Sequence, residues 1–325
     1  MPVFLFPGQG AQFSGMGMDL FDADADGKIG VRALFDEASG ILGSDIRDVL
    51  NADAETLKRT DVSQIAITVA SLAAVRALAA KGVKPSACAG FSLGEYPALA
   101  VSGVLSVADT LRLVAQRGKI MQEVADKIAS EARSSASAEL QAEGAVAPSA
   151  GMSAVLGLSP EAVDAAIRDS RIAGLYAANY NGPSQTVVSG TAAALEAAEA
   201  AFKAAGAKRV IRLKVAGPFH SPLMIEAGKR FSAILESVAF NNPVLPLFSN
   251  VTGARIATGI EAKACAVAHI SGPVRWTAEE AAIAALMADK GIDGLAEVGP
   301  GKVLSGLWAD SKQAGTCKPY GDYLA

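Results

Sequence analysis

The stretch SACAGFSLGEYPALA, residues 86–100, predicts the type of fold. Its first part, from Ser86 to Phe91, is a run of small and apolar residues after Pro85, which is typical of a central strand buried on both faces. From Glu95 onward the residues favour a helix. A strand that passes through a short turn into a helix is the repeating unit of α/β proteins, so we expect a sheet covered by helices.

The turn in this stretch, GFSLG at residues 90–94, fits the pattern G-x-S-x-G. In that pattern a serine lies on a sharp strand-to-helix turn, where its hydroxyl stands clear of the sheet and the start of the helix favours a developing negative charge. The alternative is a plain strand-turn-helix corner, since the pattern also arises by chance in glycine-rich loops. The predicted strand before it and helix after it favour Ser92 as a nucleophile.

A nucleophilic serine needs a base, usually a histidine. The chain has two histidines, His220 and His269. His220 lies in GPFHSP, residues 217–222, a segment with two prolines that follows a predicted strand. Catalytic residues are frequent on rigid loops at strand ends, so His220 is the preferred base. For either histidine the alternative is a hydrogen-bonded structural residue.

The segment FPGQGAQ, residues 6–12, follows a short apolar run from Val3 to Phe6 that predicts a buried strand. Glycines on both sides of a polar residue allow backbone N–H groups to face a ligand, so this loop is a candidate oxyanion hole. An ordinary glycine turn is the alternative. The segment matches neither the P-loop nor the G-x-G-x-x-G pattern, which argues against a phosphate-binding or dinucleotide-binding loop.

The rest of the chain alternates between strand and helix patterns. Between residues 153 and 215 the expected elements follow the order βαββαβ, that of the ferredoxin-like unit. They are Ser153–Leu158, Pro160–Asp169, Leu175–Tyr180, Thr186–Ser189, Ala192–Ala205 and Arg209–Val215. Outside this region we expect a helix over Asp61–Lys81, capped by Asp61, and strands over Leu245–Ser249 and Leu295–Val298.

These elements predict two units within an α/β fold. Residues 1–150 and 216–325 are expected to form the core, and residues 151–215 an inserted ferredoxin-like subdomain. The segment 124–150 is rich in Ala and Ser and poor in large apolar residues, so we expect an exposed insertion there.

Composition excludes several classes of protein. With 325 residues, of which 51% are apolar, the chain can bury a large core, and its net charge of −4 gives no reason to expect nucleic-acid binding. The start, MPVFLFPGQG, lacks the features of a signal peptide, and no membrane span is predicted. Cys88, Cys265 and Cys317 are widely spaced, so we expect a reducing, cytoplasmic setting without disulfides or a metal site.

Taken together, the motifs resemble the malonyl-CoA:acyl carrier protein transacylase family. The matching motifs are FPGQGAQ (6–12), GFSLGEY (90–96), QRGKIMQ (116–122), GPFHSPLM (217–224) and EVGPGKVL (297–304), and NYNGPSQTVVSG (179–190) and GPVRW (272–276) also fit. The resemblance spans nearly the whole chain except 124–150. Each motif is weak alone, but the set is specific.

The resemblance implies an α/β-hydrolase-like core with an inserted ferredoxin-like subdomain. It implies an enzyme that transfers a malonyl group from malonyl-CoA to the phosphopantetheine thiol of acyl carrier protein in fatty-acid synthesis, with no bound cofactor. By the same resemblance Ser92 is the nucleophile, His220 is its base, Gln9 and Leu93 supply backbone N–H groups to the oxyanion, and Arg117 holds the malonyl carboxylate.

Two positions depart from the family pattern. Many members have His where this chain has Phe91, and Gln where it has His269. The backbone carbonyl at the latter position orients the catalytic imidazole in relatives, so His269 is expected to support the site through its carbonyl. Phe219, directly before His220, is predicted to crowd the acyl pocket. The alternatives are a stand-alone acyltransferase serving a polyketide synthase, a serine thioesterase or hydrolase, and a non-catalytic docking protein.

Overall fold

The strands form two separate sheets in the computed structural model of the protein, which describes residues 1–134 and 149–324. In chain order the strands are β1 (Val3–Phe6), β2 (Ala87–Gly90), β3 (Gly151–Leu156), β4 (Leu175–Gly182), β5 (Gln185–Gly190), β6 (Arg209–Arg212), β7 (Leu247–Ser249), β8 (Ala254–Ile256), β9 (Gly294–Glu297) and β10 (Thr316–Pro319).

Helices connect and cover these strands. The described α-helices are α1 (Met18–Ala23), α2 (Val31–Leu42), α3 (Ile46–Leu50), α4 (Thr60–Ala80), α5 (Glu95–Val101), α6 (Val107–Ser134), α7 (Pro160–Ser170), α8 (Ala192–Ala204), α9 (Ile225–Leu235), α10 (Gly259–Ala268), α11 (Trp276–Lys290) and α12 (Val303–Ser311). Short 3-10 turns lie at Thr56–Lys58, Ser92–Gly94, Pro222–Met224 and Tyr320–Tyr323.

The larger sheet has six strands in the order β10-β9-β1-β2-β7-β8. Neighbouring strands run parallel except at one edge, where β7 and β8 are antiparallel. The strands predicted near residues 3, 86, 245 and 295 all occur in this sheet, with ends that move by at most two residues. The expectation of an α/β fold with a parallel sheet is therefore confirmed.

Both faces of the larger sheet are buried, which explains why β1 is apolar throughout rather than alternating. Phe4 and Phe6 belong to the core cluster that includes α4. Leu5 points to the opposite face, into a second cluster with Trp276 and Trp308. A strand between two helical layers can bury every side chain, and that is the pattern seen here.

Helix α4 occurs where the sequence predicts a helix, but Asp61 is not its cap. The helix begins at Thr60 after Arg59, without a side-chain cap hydrogen bond, and Asp61 instead pairs with Arg59 at 2.7 Å. Among the described helices α4 alone is long and apolar enough to cross a membrane, yet 78% of its most apolar 18-residue window is buried inside the protein. Helix α4 is therefore a central core helix of the larger unit.

The smaller sheet has four antiparallel strands in the order β4-β5-β3-β6. Helices α7 and α8 share one apolar cluster with it, which includes Val155, Val163 and Phe202. The predicted order βαββαβ is confirmed. Strand β6 ends at Arg212 rather than at Val215, because residues 214 and 215 line a cleft between the two sheets instead.

The expectation of an exposed segment over 124–150 does not hold at its first residues. Helix α6 continues to Ser134, and Val124 and Ala125 are buried in the larger core. The prediction was wrong at this end because the apolar face of α6 extends beyond Gln122, while the composition of the segment is dominated by its later residues. Residues 135–148 lie outside the described part of the chain.

The turn after β2 packs closely against the backbone of β1 and against its own backbone. A Cβ added to Gly94 would lie 2.0 Å from the carbonyl oxygen of Phe6, and one added to Gly90 would lie 2.0 Å from that of Gly94. No side chain tolerates such distances, so both positions of the G-x-S-x-G pattern require glycine for steric reasons.

We expect Gly94→Ala to lower the free energy of unfolding by about 2 kcal/mol or more, because the added methyl group displaces β1. Gly40→Ala is the matched control: Gly40 is exposed on α2, and an added Cβ meets nothing within 4 Å. Removing a helical glycine there should stabilise by roughly 0.5–1 kcal/mol. Urea denaturation measures both changes, and an equal effect of the two substitutions would contradict the steric argument.

Candidate active site

A cleft of about 300 Å³ lies between the two sheets, at the carboxyl ends of β1 and β2. This is the edge of an open parallel sheet at which α/β proteins place their ligands. Side chains of the smaller sheet, such as Val187, line the opposite wall. Five residues selected from the sequence line the cleft together: Gln9, Ser92, Arg117, Phe219 and His220.

Ser92 lies at the tip of the turn that follows β2. Its φ angle is +50°, in the left-handed region, which is costly for a residue other than glycine. Its Oγ lies 2.8 Å from Nε2 of His220. This distance permits direct proton transfer from the hydroxyl to the imidazole, as nucleophilic catalysis by serine requires.

His220 is held by carbonyl groups behind it. It is 5% exposed, and its Nδ1 lies 2.9 Å from the carbonyl oxygen of His269 and 3.3 Å from that of Gly272. Because a carbonyl oxygen only accepts, Nδ1 carries the hydrogen and donates it. In the neutral ring Nε2 is then the acceptor, so it faces the Ser92 hydroxyl in the form that a base needs.

The surroundings keep the imidazole of His220 neutral. Burial, followed by the positive charge of Arg117, lowers the pKa of His220 to about 4, against the weaker opposing effect of its two carbonyl partners. A neutral imidazole at physiological pH is ready to take a proton from Ser92. The resting cleft therefore holds a serine and a base in the protonation states required for attack on an acyl group.

Arg117 is a buried cation with two guanidinium nitrogens that no acceptor of the described chain engages. Arg117 is 1% exposed, and Nε and Nη2 of its guanidinium have no hydrogen-bond acceptor among the described residues. The guanidinium carbon lies 5.4 Å from the ring centroid of Tyr96, a favourable but weak interaction. Burial lowers the pKa of Arg117. Unused guanidinium donors in a cleft form a site for a carboxylate, which they can bind through two parallel hydrogen bonds.

The loop after β1 brings Gln9 close to Ser92. A Cβ on Gly8 would lie 2.5 Å from the carbonyl oxygen of Phe91, so the loops after β1 and β2 are in direct contact. The side-chain Nε2 of Gln9 donates to Oγ1 of Thr60 at 3.4 Å, while its backbone N–H has no acceptor in the described chain. The side chain of Leu93 is 1% exposed and packs into the core. Leu93 is not among the residues that line the cleft.

His269 and Phe219 take different places. The backbone carbonyl of His269 accepts from His220, whereas its imidazole is completely buried beside that of His220, with ring centroids 5.2 Å apart. Neither ring nitrogen of His269 has a hydrogen-bond partner among the described residues, and burial lowers its pKa well below the usual value. Phe219 is 5% exposed and lines the cleft.

The sequence interpretation did not select the buried polar residues behind Ser92. Asn250 and Glu279 are both 0% exposed, and the side chain of Asn250 bonds to the Ser92 turn. One signal was available for Asn250, because it directly follows a predicted strand of the parallel sheet. Gln64, on the core helix α4, also lines the cleft without having been selected.

Comparison with known proteins shows the family to which the chain belongs. Residues 3–306 match the family model of the acyl transferase domain, which defines the class of protein as an acyltransferase. The malonyl CoA-acyl carrier protein transacylases of Bacillus subtilis and Escherichia coli are 36% and 38% identical to the chain over 309 and 307 residues; each match covers 94% of the chain and 88% or 90% of the relative. The chain therefore belongs to the malonyl CoA-acyl carrier protein transacylase family.

Solved structures share the fold over nearly the full length. MCAT from Streptococcus pneumoniae is 35% identical, with a TM-score of 0.84 over 98% of this chain and 95% of that one. The complex PlMCAT:AntF, a type II PKS acyl-carrier protein with its malonyl-transacylase, gives 32% identity and a TM-score of 0.82 over 98% and 94%. The mixed α/β fold with a parallel sheet is common to these proteins and this chain.

The two histidines allow a direct test of the electrostatics. In the folded protein we expect His220 to titrate at about 4, and His269 also below its usual range. In urea both should titrate near the ordinary value of about 6.5. Arg117→Gln should raise the pKa of His220, because a repelling positive charge is removed. NMR titration of the imidazole signals measures these values, and a folded-state imidazole that titrates near its ordinary pKa would contradict the prediction.

Proposed function

We propose that the chain transfers a malonyl group from malonyl-CoA to the phosphopantetheine thiol of acyl carrier protein, for fatty-acid synthesis, through an ester on Ser92. One observation carries the proposal: a serine hydrogen-bonded to a neutral histidine shares a cleft with a buried arginine, two of whose donors have no acceptor among the described residues. The first two groups suit acyl transfer, and the third suits an acyl group that carries a carboxylate.

Acylation of the enzyme would proceed as follows. Ser92 Oγ attacks the thioester carbonyl of malonyl-CoA while its proton passes to Nε2 of His220. The tetrahedral oxyanion accepts hydrogen bonds from the backbone N–H groups of Gln9 and Leu93. When the carbon–sulfur bond breaks, the CoA sulfur takes the proton from His220, and malonyl-Ser92 remains. The carbonyl of His269 holds the imidazole in the required tautomer throughout.

Transfer to the carrier reverses these steps. The phosphopantetheine thiol of acyl carrier protein gives its proton to His220 and attacks the ester on Ser92. The second tetrahedral intermediate expels Ser92 Oγ, which recovers the proton, and malonyl-carrier protein leaves. The kinetics are therefore of the ping-pong type. Malonyl-CoA is a substrate, and the mechanism requires no bound cofactor.

Arg117 would select the acyl group. Its guanidinium can bind the malonyl carboxylate through two hydrogen bonds, and the low local dielectric strengthens that interaction. Acetyl lacks the carboxylate and would leave the buried cation unpartnered. Phe219, on the wall of the same cleft, would limit branching at the malonyl α-carbon and so disfavour methylmalonyl.

We also propose the finer description of the fold. Residues 1–150 and 216–325 would form an α/β-hydrolase-like core, since a parallel sheet presents a serine on a strand-turn-helix corner. Residues 151–215 would form a ferredoxin-like subdomain, which the βαββαβ order and the antiparallel sheet β4-β5-β3-β6 support. The cysteines are buried thiols, which suits the reducing cytoplasm.

A polyketide carrier is the second candidate partner. The polyketide biosynthesis protein ThaF of Burkholderia thailandensis is 33% identical over 309 residues, which are 94% of this chain and 24% of that protein. The chemistry at Ser92 would be the same, so kcat/KM measured with carrier proteins of both pathways distinguishes the candidates. A thioesterase would instead release free malonate, because water would take the place of the carrier thiol.

Intact mass spectrometry after mixing with malonyl-CoA tests the reaction. We expect the mass of one malonyl group on the wild-type protein, its loss on addition of carrier protein, and no adduct on Ser92→Ala. The variant should fold normally, since it removes one oxygen from the cleft surface. A malonyl adduct that persists on Ser92→Ala would refute the proposed nucleophile, and loss of the adduct to water alone would favour the thioesterase.

Substitution of Arg117 tests the choice of substrate. Charge-assisted hydrogen bonds contribute about 1.5–3 kcal/mol each, so Arg117→Ala should lower kcat/KM for malonyl-CoA by ~10²-fold or more. Acetyl-CoA should react as well as before or better. Arg117→Lys should restore only part of the malonyl activity, because an ammonium lacks the planar fork.

Arg112→Ala is the matched control for Arg117→Ala. Arg112 lies on the same helix, α6, but its side chain is 61% exposed and pairs with Asp109 at 3.2 Å. We expect its removal to leave both substrates unaffected, because exposed pairs contribute little. Equal losses for malonyl-CoA and acetyl-CoA in Arg117→Ala would mean that Arg117 is structural rather than selective.

A further inference from the structure

Asn250 joins two strands of the parallel sheet behind the reactive serine. It is the first residue after β7, which lies beside β2 in the sheet, and it is 0% exposed. Its Oδ1 accepts from the backbone N–H of Ser92 at 2.5 Å, and its Nδ2 donates to the carbonyl oxygen of Gly90 at 2.6 Å. One side-chain amide therefore holds the first part of the turn on which Ser92 lies, from Gly90 to Ser92.

The orientation of this amide is determined by the backbone that it contacts. If the amide were rotated by half a turn, Oδ1 would face the Gly90 carbonyl oxygen, which only accepts, and Nδ2 would face the N–H donor of Ser92. These two backbone groups leave one orientation, in which Oδ1 faces Ser92. In that orientation Nδ2 also donates to Oε2 of Glu279 on α11, at 2.6 Å, so Glu279 adds to the support of the amide.

The backbone of Asn250 is anchored as well. Its N–H donates to Oε2 of Glu95 at 3.1 Å, and the neighbouring Ser249 hydroxyl donates to Oε1 of Glu95 at 2.9 Å. Glu95 begins α5, the helix that follows the Ser92 turn. The residue that holds the turn is thus tied to the helix that the turn initiates.

Ser92 needs such support because its backbone conformation is costly. A non-glycine residue with positive φ is strained and persists only where its surroundings impose that conformation. The Asn250 amide contributes two hydrogen bonds to the two peptide groups that precede the Ser92 α-carbon, at Gly90 and at Ser92. With the Ser92 N–H occupied by Asn250, the next N–H, that of Leu93, is the one left at this turn for an oxyanion.

We infer that Asn250 is a positioning residue for catalysis, which holds the Ser92 hydroxyl in line with His220, and that Glu279 adds to the support of the Asn250 amide. The inference rests on the proposed function only in that Ser92 is the nucleophile. The two residues touch neither the acyl group nor the reacting atoms, so they should affect the rate of the chemical step and not the binding of malonyl-CoA.

The experiment compares kcat and KM for malonyl transfer in four variants. Asn250→Ala should lower kcat by ~10²-fold, as displacement of a reacting group by about 1 Å does, with KM for malonyl-CoA near the wild-type value because Arg117 is untouched. Asn250→Asp should be similarly impaired, since a carboxylate cannot donate to Gly90. Glu279→Ala should lower kcat less, and Glu279→Gln should be close to wild type, because its amide oxygen still accepts from Asn250.

Two controls separate positioning from stability. Thr252→Ala changes an exposed residue of the same β7–β8 turn whose hydroxyl bonds only within that turn. Ile283→Val removes a buried methyl group from α11, the helix that carries Glu279. Both substitutions should leave kcat unchanged. This should hold for Ile283→Val even if its free energy of unfolding is lowered as much as that of the Glu279 variants. Unchanged kcat in folded Asn250→Ala, or a rise in KM alone, would overturn the inference.

A fluorophosphonate probe keeps this test independent of the acyl donor. Ser92 Oγ displaces fluoride from the probe phosphorus while His220 accepts the serine proton, and no carboxylate site is used. The labelling rate should fall in Asn250→Ala and Asn250→Asp and stay near wild type in Glu279→Gln.

If wild type reacted with the probe but not with malonyl-CoA, the proposed function would fail while the positioning role stood. Equal labelling of wild type and Asn250→Ala would refute the positioning role alone. If Asn250→Ala did not fold, a kcat for Glu279→Ala equal to that of Glu279→Gln would refute it.

Discussion

Close contact between the Ser92 turn and strand β1 is the constraint on which the rest of the site depends. The Cα of Gly94 lies so near the carbonyl oxygen of Phe6 that a Cβ would approach it to 2.0 Å. The turn is thereby pressed onto β1, and Ser92 takes a left-handed conformation that lifts its hydroxyl from the sheet. Because the loop carrying Gln9 begins where β1 ends, the same contact brings that loop beside the serine. Backbone packing thus sets the geometry to which the side chains conform.

The charge of Arg117 is costly to bury while the cleft is empty and favours binding once an anion occupies the cleft. Two donors of the buried Arg117 have no acceptor among the described residues, and its positive charge helps to lower the pKa of His220. Burial acts on the carboxyl groups in the opposite direction and raises the pKa of Glu95 to about 7. An anion that enters the cleft gives Arg117 the partner it lacks, so an unfavourable feature of the free protein becomes affinity for a charged acyl group.

The smaller sheet closes the cleft and also delivers the base. The chain leaves its last strand, β6, at Arg212 and returns to the larger unit through the segment that contains His220. Along this return, Lys214 and Val215 line the cleft, and the hydroxyl of Ser189, from β5, donates to the carbonyl oxygen of Phe219. His220 therefore lies on a connection that contacts both the cleft and strand β5.

The sequence by itself determined the local parts of this protein: the strand, turn and helix around Ser92, the glycines that the turn requires, and the βαββαβ order of residues 151–215. Short-range sterics and hydrophobic periodicity encode such features within a few residues. The sequence motifs also selected His220 and Arg117. However, the 2.8 Å distance from Ser92 Oγ to His220 Nε2 is a contact between residues that are 128 positions apart in the chain. Only the tertiary structure decided that distance, the burial of Arg117 and the hydrogen bond between Asn250 and Ser92. Contacts between residues so far apart in the chain depend on the order of the strands in the sheet, and no local sequence pattern encodes that order.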